Sequence, residues 1–323
     1  MIRSTGRGIP DQVMTNDDLA KFVETNHDWI VQRTGIHERR VCRDDETAST
    51  LSITAGREAL ERGNVDPSEI DLVVCATVTG DMLFPATSCL IQDALGIKNA
   101  GAFDLGAACG GFIYSLSVVS AMIEAGHINK ALIIGVDVLT KFMDWQDRST
   151  CVLFGDGAGA AVLEAQENTD RGVLHTFLMA DGSGGKFICM EGGGSKHPAG
   201  RPGFDQVSPY IYMAGAEVYR FAVGAMGDAC LKLLAQAGMT AADIDLFVPH
   251  QANLRIIKSA ADKLGLPDEK VFINVEKYGN TSGGSIPLAL YEAEVAGRLK
   301  PGMVVMTVGF GAGLVWGANL IRW

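Results

Sequence analysis

The chain has 323 residues, 47% hydrophobic and 20% charged, the composition of a globular protein long enough to bury a large core. Its formal net charge of −11 argues against a general nucleic-acid binder, which normally carries a basic face. No signal-peptide-like run opens the sequence, and no stretch approaches the roughly 18 apolar residues of a transmembrane helix. Seven scattered cysteines without a CxxC pair predict reduced thiols in a cytoplasmic protein, with no zinc site.

In chain order, the predicted elements of the first half recur in the second. The segment SEIDLVVC at 68–75 corresponds to ADIDLFVP at 242–249, with an offset of 174 residues between Asp71 and Asp245. An amphipathic helix ending at Gly63 or Gly238 precedes each segment. A strand with a glycine-containing turn, a helix, a dense apolar strand and a final strand follow in both halves. Four features in matching order predict an internal duplication.

Near-continuous apolar runs that alternate with helices predict strands covered on both faces, which is the α/β class. The polar stretch QENTDRG marks the expected division into two domains. Residues 1–168 would carry a nucleophilic cysteine, and residues 169–323 a histidine and an asparagine. We expect corresponding loops to meet at a pseudo-dyad and to form one site from both halves.

Cys109 is the candidate nucleophile. It lies in AFDLGAACGG, between a short predicted strand and a helix with no charged residue up to Ile123. A helix without a polar face is buried, and its N-terminus favours a thiolate through free N–H groups and the helix dipole. Ala108 and Gly110 leave room for a substrate. The alternative is a small buried core cysteine, which is our interpretation of the other six.

Two polar residues of the second half are candidate partners of Cys109. Pro249 ends a predicted buried strand, which places His250 at its carboxyl end, where ligands collect in open α/β sheets. Asn280, in KYGNTSGGS, lies in the loop that the repeat places opposite the Cys109 turn, so the two positions are interpreted as pseudo-equivalent. Alternatively, His250 is an ordinary strand-end histidine and Asn280 a turn residue before a helix.

Five segments together resemble β-ketoacyl-[acyl-carrier-protein] synthase III over almost the whole chain. They are the Cys109 segment, FGDGAGAAVL, PHQAN, YGNTSGGS and GFGAGLVWG. The resemblance implies a thiolase-like fold, with two duplicated α/β halves in five αβαβα layers. The order Cys, His, Asn is specific, because elongating ketoacyl synthases pair cysteine with two histidines and thiolases with histidine and a second cysteine. Chalcone-synthase-like enzymes share the three residues but are usually longer and use malonyl-CoA.

The resemblance implies an initiating condensing enzyme of type II fatty acid synthesis. Cys109 would take an acyl group from acetyl-CoA or another short acyl-CoA, with the oxyanion held by the backbone N–H groups of Cys109 and Ala312. Many relatives have glycine at position 312, a minor departure. His250 and Asn280 would then donate hydrogen bonds to the enolate formed when malonyl-acyl-carrier protein loses carbon dioxide. Acyl-CoA would be a substrate, and neither a cofactor nor a metal is implied.

The same resemblance assigns residues that bind coenzyme A. Trp29 would stack on the adenine, Arg33 would meet the phosphates, and Arg148 would lie on the other side of the base. Asn253 would contact the pantetheine. A large π surface suits a base and a guanidinium suits phosphate, and Trp29 and Arg33 share one face if their segment is helical. The alternative is an amphipathic surface helix with an ordinary arginine.

Phe84 occupies the position that in the family reaches across a homodimer to cap the partner's acyl pocket. Phe154 and Phe310 would wall the site, although both are also compatible with core phenylalanines. Arg220 and Arg255 form a candidate docking patch for the acidic acyl-carrier protein. The alternative for these two arginines is a solvated helix face.

Two other functions stay open. One is a related Cys-His-Asn condensing enzyme or acyltransferase of secondary metabolism that uses an unusual starter. The other is a non-catalytic subunit of a condensing heterodimer, against which the intact Cys109 segment argues because such subunits commonly lack the cysteine. The glycine-rich stretch 182–203 is either a mobile loop over the site or a surface excursion.

Overall fold

The structure, a computed structural model, describes residues 1–167, 169–203 and 207–323. The strands in these residues are β1 (Ile2–Gly8), β2 (Val13–Thr15), β3 (Glu38–Arg40), β4 (Leu72–Ala76), β5 (Gly101–Leu105), β6 (Lys130–Val138), β7 (Asp156–Glu164), β8 (Gly172–Ala180), β9 (Ile188–Cys189), β10 (Tyr212–Met213), β11 (Leu246–Pro249), β12 (Val304–Gly311) and β13 (Val315–Arg322). The α-helices are α1 (Asn16–Leu19), α2 (His27–Thr34), α3 (Ala48–Gly63), α4 (Thr87–Ala94), α5 (Gly111–Glu124), α6 (Gly215–Ala237), α7 (Leu254–Leu264), α8 (Val275–Tyr278) and α9 (Ser285–Val295).

Two larger sheets have matching strand directions. The first sheet has the order β1-β7-β6-β4-β5, antiparallel across β1, β7 and β6 and parallel from β6 to β5. The second has the order β8-β13-β12-β11, antiparallel across β8, β13 and β12 and parallel between β12 and β11. Each sheet lies on one side of the expected division. Residue 168 itself is outside the described residues, and the two-domain assignment stays a prediction.

Helices cover both faces of each sheet. Helices α5 and α9 lie between the sheets, where Leu116 and Leu290 pack in one cluster with Val74 of the first sheet and Val305 of the second. Helices α3 and α4 cover the outer face of the first sheet, and α6 and α7 that of the second. The resulting order is αβαβα, which confirms the predicted fold class. Among the described helices, none is long and apolar enough to cross a membrane.

The helices that precede the repeated strands are α3 and α6. Thr47 caps α3 with a capping box, and the chain leaves the helix at Asn64 in a left-handed conformation. Gly238, at φ 65°, ends α6 in the same way. The apolar stripe predicted from helical spacing is buried in α6 at Val218, Ala222, Met226, Cys230, Leu233 and Leu234.

Corresponding turns lead into the two central helices. The 3-10 turns Ala108–Gly110 and Ser282–Gly284 precede α5 and α9 with the same 174-residue offset as Asp71 and Asp245. Ala108 and Ser282 both adopt left-handed backbone conformations, at φ 43° and 49°. Gly283 therefore corresponds to Cys109, and the interpretation of Asn280 as its counterpart is wrong. The 174-residue offset gives the same register, and the matching left-handed backbone at 108 and 282 agrees with it.

The stretch 182–203 begins as a packed segment rather than a loop. Gly182–Phe187 forms 3-10 turns, and β9 pairs with β10 in a short antiparallel ribbon. The backbones of Asp181 and Leu314 exchange hydrogen bonds of 2.8 Å, which ties this segment to the turn after β12. Residues 182–189 thus pack beside the end of β12.

The central contact between the first sheet and the turn before α9 depends on Gly135 of β6. A Cβ added there would overlap the carbonyl oxygen of Gly283. We expect Gly135→Ala to lower the free energy of unfolding by about 1–3 kcal/mol, the usual cost of overpacking, in urea denaturation followed by circular dichroism. Gly224→Ala on α6, where no atom lies within 4 Å of the added Cβ, should raise it by up to about 1 kcal/mol. Unchanged stability in Gly135→Ala would contradict this close approach.

Candidate active site

Cys109 lies in the turn that enters α5, with 8% of its surface exposed. The end of β12 passes directly over this turn, because a Cβ added to Gly311 would lie 2.6 Å from the backbone nitrogen of Cys109. Helix α5 carries no charged residue before Glu124. Its N-terminal N–H groups therefore act on the thiol in poorly screened surroundings.

His250 follows β11 and is fully buried. Its backbone N–H donates to the carbonyl of Val308 on β12 at 2.7 Å, which holds it at the carboxyl end of two parallel strands. Neither ring nitrogen has a hydrogen-bond partner among the described residues, and the ring meets Phe310 edge to face at 5.8 Å between centroids. Burial lowers the pKa of His250 to about 3, so its imidazole is neutral at physiological pH.

Asn280 is held by backbone and side-chain hydrogen bonds. Its N–H donates to the carbonyl of Leu153 at 2.8 Å, and its carbonyl accepts from the N–H of Gly155 at 3.1 Å. Its Oδ1 accepts from the N–H of Ser282 at 2.9 Å. This bond orients the amide so that Nδ2 is the donor available to a ligand.

Cys109, His250 and Asn280 line one cavity of about 290 Å³, called here the first cavity. Its other lining residues include the half-exposed Trp29 and the exposed Arg148, so it runs from the surface to the buried sulfur. A second cavity of about 280 Å³ also contains Cys109. Its apolar lining side chains are Val78, Leu139, Phe142, Phe154, Ile188, Met190 and Ile211. The sulfur therefore lies where a polar-mouthed channel meets an apolar pocket.

Opposing effects act on the Cys109 thiol. Burial raises its pKa from 9.0 to about 12, with a smaller contribution from Asp137, while the Ser282 side chain favours the thiolate. A helix N-terminus contributes up to about 2 kcal/mol, or about 1.5 in pKa, in favourable partly buried geometries. The effect of burial is larger. The resting group at neutral pH is therefore the thiol, and the thiolate expected from the helix dipole requires removal of a proton.

The mouth of the first cavity carries one indole and two guanidinium groups. Trp29 and Arg33 lie on α2, as their spacing predicted. The guanidinium carbons of Arg33 and Arg148 are each 4.8 Å from the Trp29 ring centroid, a cation–π geometry. Asn253 caps α7, and its Nδ2 donates to the carbonyl of Arg33 at 3.1 Å. The structure thus brings these four predicted residues together.

The other predicted residues divide into two groups. Phe154 and Phe310 are buried and line the first cavity, and Ala312 lines both cavities. Phe84 is 83% exposed beside the equally exposed Leu83, and it lines neither cavity. Within one chain, the structure therefore does not bring Phe84 to the site.

Arg220 and Arg255 are exposed on α6 and α7. Their chain neighbours Tyr219 and Ile256 line the first cavity. The two arginines therefore lie beside the mouth rather than within it.

Three residues around the sulfur were not predicted from the sequence. Ser282 lines the second cavity with Cys109, and the next N–H, of Gly283, donates to Asp137 Oδ2 at 3.0 Å. Asp137 was detectable in principle, because one aspartate within the apolar run ALIIGVDVL requires buried partners. Ile188 lines both cavities from a glycine-rich stretch whose sequence shows no periodicity.

Known proteins share both fold and sequence with this chain. Family models described as 3-oxoacyl-[acyl-carrier-protein (ACP)] synthase III and its C-terminal part match residues 103–182 and 234–323. A β-ketoacyl-[acyl-carrier-protein] synthase III from Symbiobacterium thermophilum is 49% identical, covering 100% of this chain and 97% of the relative.

Solved structures of the same family are also similar to this chain in fold. A 3-oxoacyl-[acyl-carrier-protein] synthase III from Aquifex aeolicus has a TM-score of 0.93 at 43% identity, covering 100% of this chain and 99% of that one. The priming β-ketosynthase of a polyketide biosynthetic pathway has a TM-score of 0.93 at 37% identity, covering 99% and 95%. Fold and site thus define an acyl-transferring condensing enzyme of the thiolase-like fold. The chain belongs to the 3-oxoacyl-[acyl-carrier-protein] synthase III family, whose members initiate fatty acid synthesis.

The neutral state of His250 has a consequence for stability. Its pKa is about 3 in the folded chain and 6.5 ordinarily, so below pH 6.5 the unfolded chain binds a proton that the folded chain does not. The contribution of His250 to the free energy of unfolding is complete above pH 6.5 and falls as the pH is lowered toward 3. We expect His250→Gln to reduce the slope of unfolding free energy against pH in this range by up to about 1.4 kcal/mol per pH unit. Urea denaturation at a series of pH values measures it.

His127→Gln is the control, because this histidine is exposed. It should keep the wild-type slope. A His250→Gln slope equal to that of the wild type would contradict a neutral buried imidazole.

Proposed function

We propose that this enzyme condenses a short acyl-CoA, with acetyl-CoA as the expected starter, with malonyl-acyl-carrier protein. The product is a β-ketoacyl-carrier protein. The observation that carries this proposal is the first cavity, which joins Cys109, His250 and Asn280 to an indole and two guanidinium groups. A pantetheine thioester fits such a channel, with its carbonyl at the sulfur and its nucleotide at the mouth. Loss of carbon dioxide drives carbon–carbon bond formation, and we assign no cofactor, since acyl-CoA is a substrate.

In the first half-reaction, the sulfur of Cys109 attacks the acyl-CoA carbonyl and coenzyme A leaves. The tetrahedral oxyanion is held by the backbone N–H groups of Cys109 and Ala312, which lie on opposing turns at the junction of the two cavities. Each preorganised donor of this kind contributes about 3–4 kcal/mol to transition-state stabilisation. The acyl chain then occupies the apolar second cavity, lined in part by Phe154.

In the second half-reaction, malonyl-acyl-carrier protein enters the first cavity and loses carbon dioxide. His250 and the Nδ2 of Asn280 donate hydrogen bonds to the enolate oxygen. The low pKa of His250 supports a neutral donor, and its ring nitrogens lack protein partners among the described residues. Because His250 and Asn280 are buried and fixed, their dipoles stabilise the developing charge better than mobile solvent does. The carbanion attacks the acyl-cysteine and releases the product.

Coenzyme A binds with its adenine between Trp29 and Arg148 and its phosphates at Arg33. The indole supplies the stacking surface, and the two guanidinium groups already lie against it. The base must therefore displace Arg148 from the ring. Asn253, fixed at the start of α7, contacts the pantetheine arm.

The chain acts as a homodimer in this proposal. Phe84, Leu83 and Met82 form an exposed apolar tip that needs a protein partner, and Phe84 caps the second cavity of the other subunit. Arg220 and Arg255, on a chain of net charge −11, offer a local basic patch to the acidic carrier. The two sheets would correspond to the two domains. We expect a cytoplasmic location, where the seven free cysteines stay reduced.

A second candidate function keeps the chemistry but changes the pathway. The similarity to a priming β-ketosynthase of polyketide biosynthesis favours an unusual starter in secondary metabolism. The identity of the acyl group loaded on Cys109 distinguishes the two functions.

Intact-protein mass after incubation with a panel of acyl-CoAs, followed by a malonyl-acyl-carrier-protein chase, tests the assigned roles. The wild type should gain one acyl mass and lose it in the chase. Cys109→Ala should gain none because the nucleophile is gone. Asn280→Ala should acylate nearly normally, but its chase should slow by about 10²–10³, the usual effect of losing one oxyanion donor.

Cys230→Ala is the matched control, since it removes an equally buried thiol in α6. It should acylate and discharge like the wild type. Equal loss of both half-reactions in Asn280→Ala would contradict its assignment to condensation. Stable acylation that the carrier does not discharge would instead favour acyl transfer.

Trp29→Ala tests the nucleotide site. Loss of base stacking worth about 1–3 kcal/mol should raise the KM for acyl-CoA about 5- to 150-fold with little change in kcat. The KM for malonyl-acyl-carrier protein, which has no adenine, should stay unchanged in steady-state kinetics. A parallel rise in both KM values would show that Trp29 acts on the channel rather than on the base.

A further inference from the structure

The position of Asn280 depends on a short segment from the other half of the chain. Residues 153–156, called here the Asp156 segment, lead into β7 of the first sheet. Phe154 and Asn280 form an isolated parallel bridge. The carbonyl of Leu153 accepts from the N–H of Asn280 at 2.8 Å, and the N–H of Gly155 donates to the Asn280 carbonyl at 3.1 Å. Both backbone groups of Asn280 are therefore fixed by this segment.

The Asp156 segment and the Asn280 loop also pack backbone against backbone. A Cβ added to Gly155 would lie 2.3 Å from the carbonyl oxygen of Tyr278. One added to Gly279 would lie 2.8 Å from the carbonyl oxygen of Leu153. Because the two backbones are in direct contact, a displacement of the segment is passed on to Asn280.

Asp156 anchors this segment from within the protein. It is fully buried at the start of β7. Its Oδ1 accepts from the N–H of Thr140 at 3.0 Å. Its Oδ2 accepts from the N–H of Cys42 at 2.8 Å and from the hydroxyl of Thr140 at 2.5 Å. Since Cys42 follows β3 and Thr140 lies in the turn after β6, one side chain holds three backbone segments together.

Neither a substrate contact nor charge pairing explains Asp156. It lines neither cavity. None of the ion pairs found among the described residues includes it. A buried carboxyl group without a counter-ion is costly, and the donors around it offset that cost only in the correct geometry. The role of Asp156 is therefore to be sought in the segment that it holds.

Cys109 and His250 are held by other elements. The backbone of Cys109 packs against Gly311 of β12. The N–H of His250 donates to the carbonyl of Val308 at 2.7 Å. A change at Asp156 should therefore act on Asn280 more than on these two residues.

We propose that Asp156 is a positioning residue for Asn280, and through it for condensation rather than for acylation. The proposal rests on the function proposed above and deepens it. Asn280 has to meet the enolate oxygen with its Nδ2, whereas the attack of Cys109 on acyl-CoA does not use this donor. A misplacement of about 1 Å can slow a reaction about 10²-fold. Loss of the Asp156 anchor should therefore slow condensation selectively.

The substitution Asp156→Asn alters this anchor with little change in shape. Each carboxyl oxygen accepts a backbone N–H, one from Thr140 and the other from Cys42. An amide presents one oxygen and one NH2 group instead. In either orientation of the amide, one backbone N–H loses its acceptor and faces another donor. This conflict follows from geometry and not from the charge of Asp156.

The test measures the two half-reactions separately, by rapid quench and intact mass. Acetyl-CoA is the starter, because an acetyl group extends least into the second cavity, which Leu139 and Phe142 line on either side of Thr140. Asp156→Asn should form the acetyl-enzyme within about threefold of the wild-type rate. Its discharge by saturating malonyl-acyl-carrier protein should be at least about tenfold slower. Because the carrier is saturating, this is a loss of kcat rather than a rise in KM.

A double-mutant cycle separates positioning from general damage. Asn280→Ala removes the group through which Asp156 acts. Adding Asp156→Asn to it should therefore slow the discharge less than about twofold further. Two effects that multiply would show that Asp156 acts by another route, such as Phe154, and would overturn the proposal. Acylation slowed by Asp156→Asn as much as discharge would overturn it as well.

Asp71→Asn is the matched control. The Asp71 carboxyl group also accepts two backbone N–H groups, those of Asn129 and Lys130, at 2.7 and 3.0 Å. It does so at the start of β4 and β6, whereas Asp156 lies beside the end of β6. Asp71→Asn should lower the midpoint of thermal unfolding and leave both half-reactions at wild-type rates.

Thr140→Val decides the question if thermal unfolding shows that Asp156→Asn does not fold. It removes one of the three donors and should slow the discharge about threefold or more, and Thr140→Ser, which keeps the hydroxyl, should restore it. Wild-type discharge in Asp156→Asn, or in Thr140→Val where the former does not fold, overturns the positioning role alone. A wild type that forms no acetyl-enzyme overturns the proposed function and the positioning role together.

Discussion

The structure depends on the contact of glycine backbones where the two sheets face each other. The carbonyl group of Gly283 packs against the Cα atom of Gly135 in β6, which is possible because Gly135 has no side chain. The backbone of Cys109 packs against Gly311 of β12 for the same reason. These contacts set how closely the turns before α5 and α9 approach. Because β11 and β12 end at the same place, His250 lies at the end of both strands, whereas backbone bonds to Leu153 and Gly155 hold Asn280, and both residues line the first cavity with Cys109. A side chain at either glycine would separate the elements that carry the chemistry.

Desolvation is the physical effect that governs this site. It keeps Cys109 a thiol and His250 a neutral imidazole, and it raises the pKa of Asp137. Charge therefore arises there only when substrate bonds change, which is where fixed N–H dipoles contribute most. The mouth is different, because Arg33 and Arg148 lie in solvent, where they would face the polyanionic end of coenzyme A in the proposed complex. The gradient from cationic mouth to neutral interior matches a ligand that is charged at one end only.

Apolar periodicity and the 174-residue repeat were sufficient to predict the layered α/β fold, since strands covered on both faces leave a clear pattern. The offset of that repeat in fact places Gly283 opposite Cys109, so the interpretation of Asn280 as its counterpart did not follow the repeat's own register, and the left-handed residues at 108 and 282 agree with Gly283. Cys109 and His250 were proposed from their positions after strands, and Asn280 from its loop and the resemblance; the first cavity contains all three, and their roles stay predictions. The position of Ser282 beside Cys109 was not predicted, since the two residues come together only where the two halves meet. The position of Ile188 in the lining of both cavities was also not predicted, because the surrounding sequence has no periodic pattern.

The two cavities divide recognition between different kinds of interaction. The first presents directional donors, which discriminate strongly because an unmatched buried polar group is costly. The second is lined mainly by aliphatic and aromatic side chains, for which each methylene changes binding by only about 1 kcal/mol. The lining of the second cavity would therefore discriminate only gradually between uncharged acyl groups of different size. A carboxylate on the acyl group is rejected far more strongly, because its hydration would be lost without compensation. Under the proposed function, a malonyl group would thus be disfavoured as a starter in the second cavity and would lose carbon dioxide in the first.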